Sequence, residues 1–218
     1  MFRMMLLTQW KWSRLLVLTC ALAGFAIAPL AVQSLGDPVV MRWEVPGLLA
    51  QLAAWGLLYP LVAAAAGLLI ALTTWAQDHT GRHVYALSLP VPRWHYALLR
   101  FGAGAVFLAG ITIAVLIGAL VAVASVQLPP GLRAYPFGIA LRFALASFVA
   151  YAAFFAVSAG TNRTAGYVLG AIAAIIIVQI GFQVTGVEAD LVGFLLRGIL
   201  YWPGPLEVFS GRWMLVDV

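Results

Sequence analysis

The stretch Trp75-Ala76-Gln77-Asp78-His79-Thr80-Gly81-Arg82-His83-Val84-Tyr85-Ala86-Leu87-Ser88-Leu89-Pro90-Val91-Pro92-Arg93-Trp94-His95-Tyr96-Ala97-Leu98-Leu99-Arg100 decides how the chain is read. It is the longest polar interruption between apolar runs. It holds all three histidines (His79, His83 and His95), one acid (Asp78), and Arg82, Arg93 and Arg100. The runs on either side are apolar for the roughly 20 residues that a helix needs to cross a bilayer. The segment is therefore where the chain meets water and soluble partners, and the runs beside it are the membrane part.

Composition supports this division. Of 218 residues, 64% are hydrophobic and 9% are charged. A soluble domain carries about 25% charged residues, so a soluble fold is excluded. Lipid offers no partner to an unpaired backbone group, so an all-α polytopic bundle follows. The formal charge of +5 comes from basic residues spread along loop ends, with no run of them. Membrane orientation accounts for that pattern, and nucleic acid is not an expected partner. The lone cysteine, Cys20, lies inside the first apolar run and allows no intramolecular disulfide. A lipoprotein signal at Leu18-Thr19-Cys20 is disfavoured by Thr19, which stands where a small residue is usual. A cleaved signal peptide is disfavoured because the run from Leu15 to Val32 exceeds a typical signal core of about 7–15 residues.

Five transmembrane helices are expected in one transmembrane domain covering residues 1–218. Residues 1–14 mix apolar side chains with Arg3, Lys11, Arg14, Trp10 and Trp12, and read as a helix lying among the headgroups. The bland alternative is the start of the first span. The spans then run over about 15–32, 46–74, 101–126, 135–159 and 165–184. Pro60 removes a hydrogen bond within the second and predicts a kink there. Gly110, Ala114, Gly118 and Ala122 in the third span, and Gly166, Gly170 and Ala174 in the fifth, form small-residue stripes of the kind that let helices pack closely. Arg142, near the outer end of the fourth span, reads as snorkelling to the surface, with a charged path lining as the sharper reading. Residues 187–218 form the last element. Its apolar part, Leu191 to Trp202, is too short to cross and reads as a re-entrant or surface helix, with a mixed tail after it. A sixth span is absent or missing from this sequence.

Placing the N-terminus inside puts seven basic residues on the inner side and five on the outer, with six of the seven acids outside. That is a modest positive-inside bias. It makes the N-terminus and residues 75–95 cytoplasmic.

The central segment supports several chemistries unequally. His79 and His83, four apart, share a helix face near Asp78, but no cysteine or second carboxylate stands close in sequence, so no metal site is assigned. Catalysis would need paired carboxylates or a nucleophile in a polar pocket, and the spans hold almost no ionisable groups. No catalytic residues and no enzyme activity are therefore assigned. No phosphate-binding glycine loop is present, so any nucleotide hydrolysis belongs to another subunit. A mechanical role fits better. Asp78 or Thr80 could cap a short helix over Gly81 to Leu89, and Pro90 and Pro92 would stop it and stiffen the return to the membrane.

The run from Asp78 to Arg100 resembles the coupling-helix region of the type-2 ABC export permeases. The resemblance rests on Asp78, Gly81, Leu87, Ser88, Leu89, Pro90, Arg93, Tyr96 and Arg100, with Ser-Leu-Pro followed by Arg, an aromatic and another Arg. The layout is similar too, down to about Leu206. Two features depart from the family: it usually has a second acid near the position of His83, and it usually has six spans. The resemblance implies a permease subunit of a bacterial inner-membrane transporter. A cytoplasmic ABC ATPase subunit would contact Asp78, Thr80, Gly81, Arg82, His83, Tyr85, Leu87, Ser88, Leu89, Pro90 and Arg93. ATP and magnesium would sit on that partner, and this chain would bind no cofactor. A second permease subunit, identical or not, would complete the path in the lipid bilayer. The alternative is a structural or assembly subunit of a larger membrane complex with no transport role. A nearly charge-free interior suits a lipid, a hydrophobic drug or a peptide alike.

Overall fold

A computed structural model describes residues 2–34, 52–80, 92–126, 132–159, 162–185, 190–201, 204 and 206–217. Its helices are α1 (Phe2–Gln33), α2 (Leu58–Thr80), α3 (Arg93–Ala124), α4 (Pro136–Ala159), α5 (Asn162–Thr185) and α6 (Leu191–Leu200). A 3-10 turn covers Glu207–Phe209, and two short strands, β1 (Arg133–Ala134) and β2 (Val216–Asp217), pair antiparallel. Four stretches, Phe2–Gln33, Leu52–Trp75, Trp94–Ala124 and Pro136–Ala159, are helical, long and apolar enough to cross a membrane. α5 lies where the fifth span is expected and is 24 residues long, with Ala173–Phe182 as its apolar described stretch.

The helix boundaries differ from the sequence reading in three places. Residues 2–14 are not a separate helix. They are the first turns of α1, which passes straight into the first span because no glycine or proline stands before Gly24; the helix is 32 residues long and contains Pro29. At about 1.5 Å per residue α1 is about 48 Å long, well beyond the roughly 30 Å of hydrocarbon. α2 continues to Thr80, so Asp78 and Thr80 lie in its last turn. α3 begins at Arg93, eight residues before the expected start of the third span. Pro92, with φ −56° and ψ 138°, stands at its N-cap, and the Pro92 carbonyl accepts the N–H groups of His95 (3.0 Å) and Tyr96 (3.1 Å).

The kink expected near Pro60 is a turn at Leu57, between helical residues 52–56 and α2. Proline has no N–H to give the Gly56 carbonyl four residues back, and its ring crowds that carbonyl. The Leu57 N–H reaches back only to Ala54, at 3.3 Å.

The chain forms two compact units, residues 1–155 with 212–218, and residues 156–211. In the first, α1 and α3 run parallel. Trp10 meets Phe107 at 5.8 Å between ring centres, and farther along Gly24 faces Val115 and Phe25 faces Gly118. α2 and α4 run the other way. A Cβ on Gly67 would stand 2.7 Å from the Ala150 side chain and 2.8 Å from the Ser147 carbonyl. Small residues set these distances: Ala63, Ala66, Ala71, Ala103, Ala119 and Ala146 are fully buried, with Ile70, Ile111, Val115 and Phe143 filling between them. Large side chains such as Leu22, Ile113, Leu141 and Phe137 point outward, as hydrocarbon-facing residues would.

The stripe in the third span packs only in part. Gly118 is buried, and a Cβ there would overlap the Phe25 carbonyl. Ala114 is half-buried, and Gly110 is exposed, with nothing near its missing side chain. A four-residue repeat advances about 400° on a helix of 3.6 residues per turn, so the stripe drifts about 40° per step across the surface. It enters the buried face only at its end. Gly170 on α5 is likewise exposed with open space beside it, and Gly166 lies on α5 with its surroundings outside the described residues.

In the second unit α5 carries the cap of α6. The Asp190 carboxylate accepts the Gly193 N–H at 2.8 Å. The Gln179 amide oxygen accepts the N–H groups of Leu191 (2.9 Å) and Val192 (3.3 Å). These are the donors that a helix start leaves unpaired. α6 has ten residues and is about 15 Å long, too short to cross. After it the Leu206 N–H returns to the Ile199 carbonyl at 2.9 Å, which folds the chain back on the helix.

Candidate functional site

The described residues at the foot of the central segment form a polar node inside an otherwise apolar bundle. Its centre is Thr74, which has no exposed surface. The Thr74 hydroxyl donates to the Ile70 carbonyl at 2.7 Å, which leaves its lone pairs free to accept. It accepts the Gln9 side-chain amide at 2.6 Å, so α1 is bonded to α2. The Thr74 carbonyl accepts from the Arg100 guanidinium, so α2 is bonded to α3. Thr74 thus ties together both helices that lead out of the segment and the first helix of the chain.

Arg100 is buried. A cation inside a bundle is costly unless its donors are used. Beyond the Thr74 carbonyl, its Nε and Nη2 donate to the Tyr96 hydroxyl at 3.0 and 2.6 Å, and its Cζ lies 5.2 Å from the centre of that ring. Tyr96 and Arg100 are one helical turn apart, which makes this local pairing geometrically easy. Gln9 and Ser13 repeat the spacing on α1, where the Ser13 hydroxyl donates to the Gln9 carbonyl at 2.8 Å.

The fourth helix joins through Tyr151. Its hydroxyl donates to the Phe101 carbonyl at 3.1 Å. Gly104 is required there, because a Cβ would occupy the place of the tyrosine oxygen. Aromatic rings pack around the node: Phe101 stacks on Tyr151 at 5.0 Å and meets Phe155 edge-on at 5.1 Å, and Trp75 lies 5.2 Å from Phe155. The Gln9 side-chain oxygen and the Trp75 indole nitrogen are buried and have no hydrogen-bond partner among the described residues.

Of the residues expected to meet a partner ATPase, Asp78 and Thr80 lie in the last turn of α2, and Arg93 is the first residue of α3. Gly81, Arg82, His83, Tyr85, Leu87, Ser88, Leu89 and Pro90 lie outside the described residues, as does the short helix expected over Gly81 to Leu89. The side chains of Asp78 and His79 are outside them too. Among the described residues no three His, Cys, Asp or Glu side chains come together. The arrangement has no nucleophile beside a base. What it provides is mechanical connection between four helices.

Gln9, Ser13, Thr74 and Tyr151 escaped the sequence reading, while Tyr96 and Arg100 were part of the quoted motif. A signal for them existed. Gln9 and Ser13, like Tyr96 and Arg100, are polar residues four apart in apolar surroundings. Thr74 and Tyr151 carried no such mark.

Arg142 is half-buried, its guanidinium donates to the Arg212 carbonyl at 2.8 Å, and its Cζ lies 4.8 Å from the centre of the Trp213 ring. These contacts tie α4 to residues 212 and 213.

The fold defines a class: a helical chain with several segments able to cross a membrane, as in a multi-pass membrane protein. Comparison with protein-family models, with curated proteins and with solved structures finds no match to this chain.

Proposed function

We propose that this chain is the permease subunit of an ATP-driven ABC exporter. A separate cytoplasmic ATPase would dock on residues 75–95, and a second permease subunit would complete the path. The observation that carries this reading is the Gln9–Thr74–Arg100 connection. A push on the segment is a push on the end of α2 and the start of α3, and Thr74 and Arg100 link those two ends to each other and to α1. A loop that served only to join two spans would need no such cross-link. In this reading α5 makes a fifth crossing, α6 dips into or lies on the membrane, the start of α1 projects among the headgroups, and the N-terminus is cytoplasmic in a bacterial inner membrane.

The test is a photocrosslinking residue at Arg82 or Ala86 in the full chain, followed by gentle solubilisation in its native host. The expected product is a crosslink to an ATPase with a nucleotide-binding glycine loop. Crosslinks to other membrane subunits alone would replace export with the assembly-subunit reading. Pro90→Gly or Gly81→Trp should leave the chain in the membrane while separating ATP hydrolysis from transport.

A further inference from the structure

At the end of the first unit opposite the node, residues 212–217 lie across the starts of α2 and α4. Trp213 is buried between them. One contact of its ring is Tyr59 on α2, stacked at 6.3 Å and 10° between planes; the other is the Arg142 guanidinium on α4. The backbone follows the side chain. Arg142 holds the Arg212 carbonyl, and the Trp213 carbonyl lies so close to Gly56 that any side chain there would overlap it. Leu215 and Val216 are buried, the Tyr135 N–H donates to the Leu215 carbonyl at 2.9 Å, and Ala134 pairs with Val216 in the two-residue ladder. Six residues therefore bridge helical residues 52–56, α2, α4 and the chain just before α4.

We infer that residues 212–217 are a releasable strap that sets the separation of α2 and α4 at this end of the bundle. Three features make the contact one that can open. The ladder is only two residue pairs long. Among the described residues the buried Trp213 indole N–H has no hydrogen-bond partner, so release returns a donor to solvent. The chain beneath is already divided at Leu57, where Pro60 removes the bond that would make residues 52–56 rigid with α2. Gly211, at φ 80°, turns the chain into the strap through a conformation that other residues rarely adopt. With the strap closed, the Trp213 ring links the two helices; with it open, no residue of 212–217 does. The strap would act in an exporter and in an assembly subunit alike, so it stands apart from the export proposal.

The experiment uses the full chain in lipid nanodiscs with Cys20 replaced by Ala. Spin labels on cysteines at Leu58 and Phe137, both exposed at the helix starts, report the separation at the strap end. Labels at Leu98 and Phe154, also exposed, report the node end. Trp213→Ala and Arg142→Gln should each lengthen and broaden the first distance while leaving the second unchanged, with Trp213→Ala the larger. Arg142→Gln removes the cation over the ring and, being two bonds shorter, the donor to the Arg212 carbonyl, while leaving the Trp213 ring in place, so it gives a readable result if Trp213→Ala does not fold. Distances in both variants that superimpose on the parent would overturn the strap. So would an equal change at both ends, which would mean general loosening.

Discussion

The two ends of the first unit are joined by different physics. About 22 Å separates them along α2, from Tyr59 to Thr74. At the node end the helices are bonded directly to one another, through polar side chains in their interiors: Gln9 to Thr74, and Arg100 to the Thr74 backbone. At the strap end α2 and α4 are bridged by a third piece of chain, through an indole ring, a guanidinium and a backbone contact at Gly56. A direct side-chain link moves when its helices move. A bridging strap can leave without either helix unfolding.

Cys20 provides a common measurement for this comparison. It is the lone cysteine and is buried, so its reaction with a thiol reagent during denaturation reports opening of the bundle. The largest loss is expected from Gly118→Leu or Gly67→Leu, which put side-chain atoms against a neighbouring backbone between the two ends. Each should destabilise by about 3 kcal/mol, the upper part of the range for overpacking. Gly110→Leu should change stability by less than about 0.5 kcal/mol, as for other exposed sites. A large loss there would mean that the open side of α3 is covered in the protein as measured.

Arg100→Lys comes next. Lysine keeps the buried charge but cannot reach the Thr74 carbonyl and the Tyr96 hydroxyl in one planar fork. A loss of about 2 kcal/mol is expected for bonds made by a charged group. An unchanged labelling midpoint would show that Arg100 does not hold α2 to α3.

Thr74→Val and Gln9→Leu should each cost about 1 kcal/mol, and the double variant less than their sum. The coupling between them should be about 0.6 kcal/mol, typical of hydrogen bonds between membrane helices. Strict additivity would mean that the two side chains do not interact. Of the substitutions that touch an inter-helix contact, the smallest effect is expected at the other end. Arg142→Lys preserves a cation over Trp213 and should cost below about 1 kcal/mol, the value for an exposed cation–π contact. A cost above that of Arg100→Lys would reverse the ranking of the two ends.

The sequence by itself determined the class of this protein. The apolar runs around Trp75–Arg100 are too long and too poor in charge for a soluble core, and hydrocarbon permits only structures whose backbone bonds close internally. Helices therefore appear over the described residues of all five expected spans, the first four of them long and apolar enough to cross, and the Pro60 break appears within one turn of its predicted place. α6 is short for the same legible reason: the apolar stretch before Tyr201 has too few residues to cross. What the sequence did not mark is which faces meet. Periodicity locates a small-residue stripe but not its rotation toward a neighbour, so Gly118 packs while Gly110 stays open. Boundaries were also hidden, because helix continues wherever nothing stops it. α1 absorbs residues 2–14, and α2 and α3 absorb both ends of the central segment. Thr74 is one hydroxyl among apolar neighbours, and Trp213 is one aromatic residue in a mixed tail. Only the tertiary structure decided that the first joins three helices and the second bridges two. Each role depends on partners far away in sequence, Gln9 and Arg100 for Thr74, Tyr59 and Arg142 for Trp213, and packing alone brings those together.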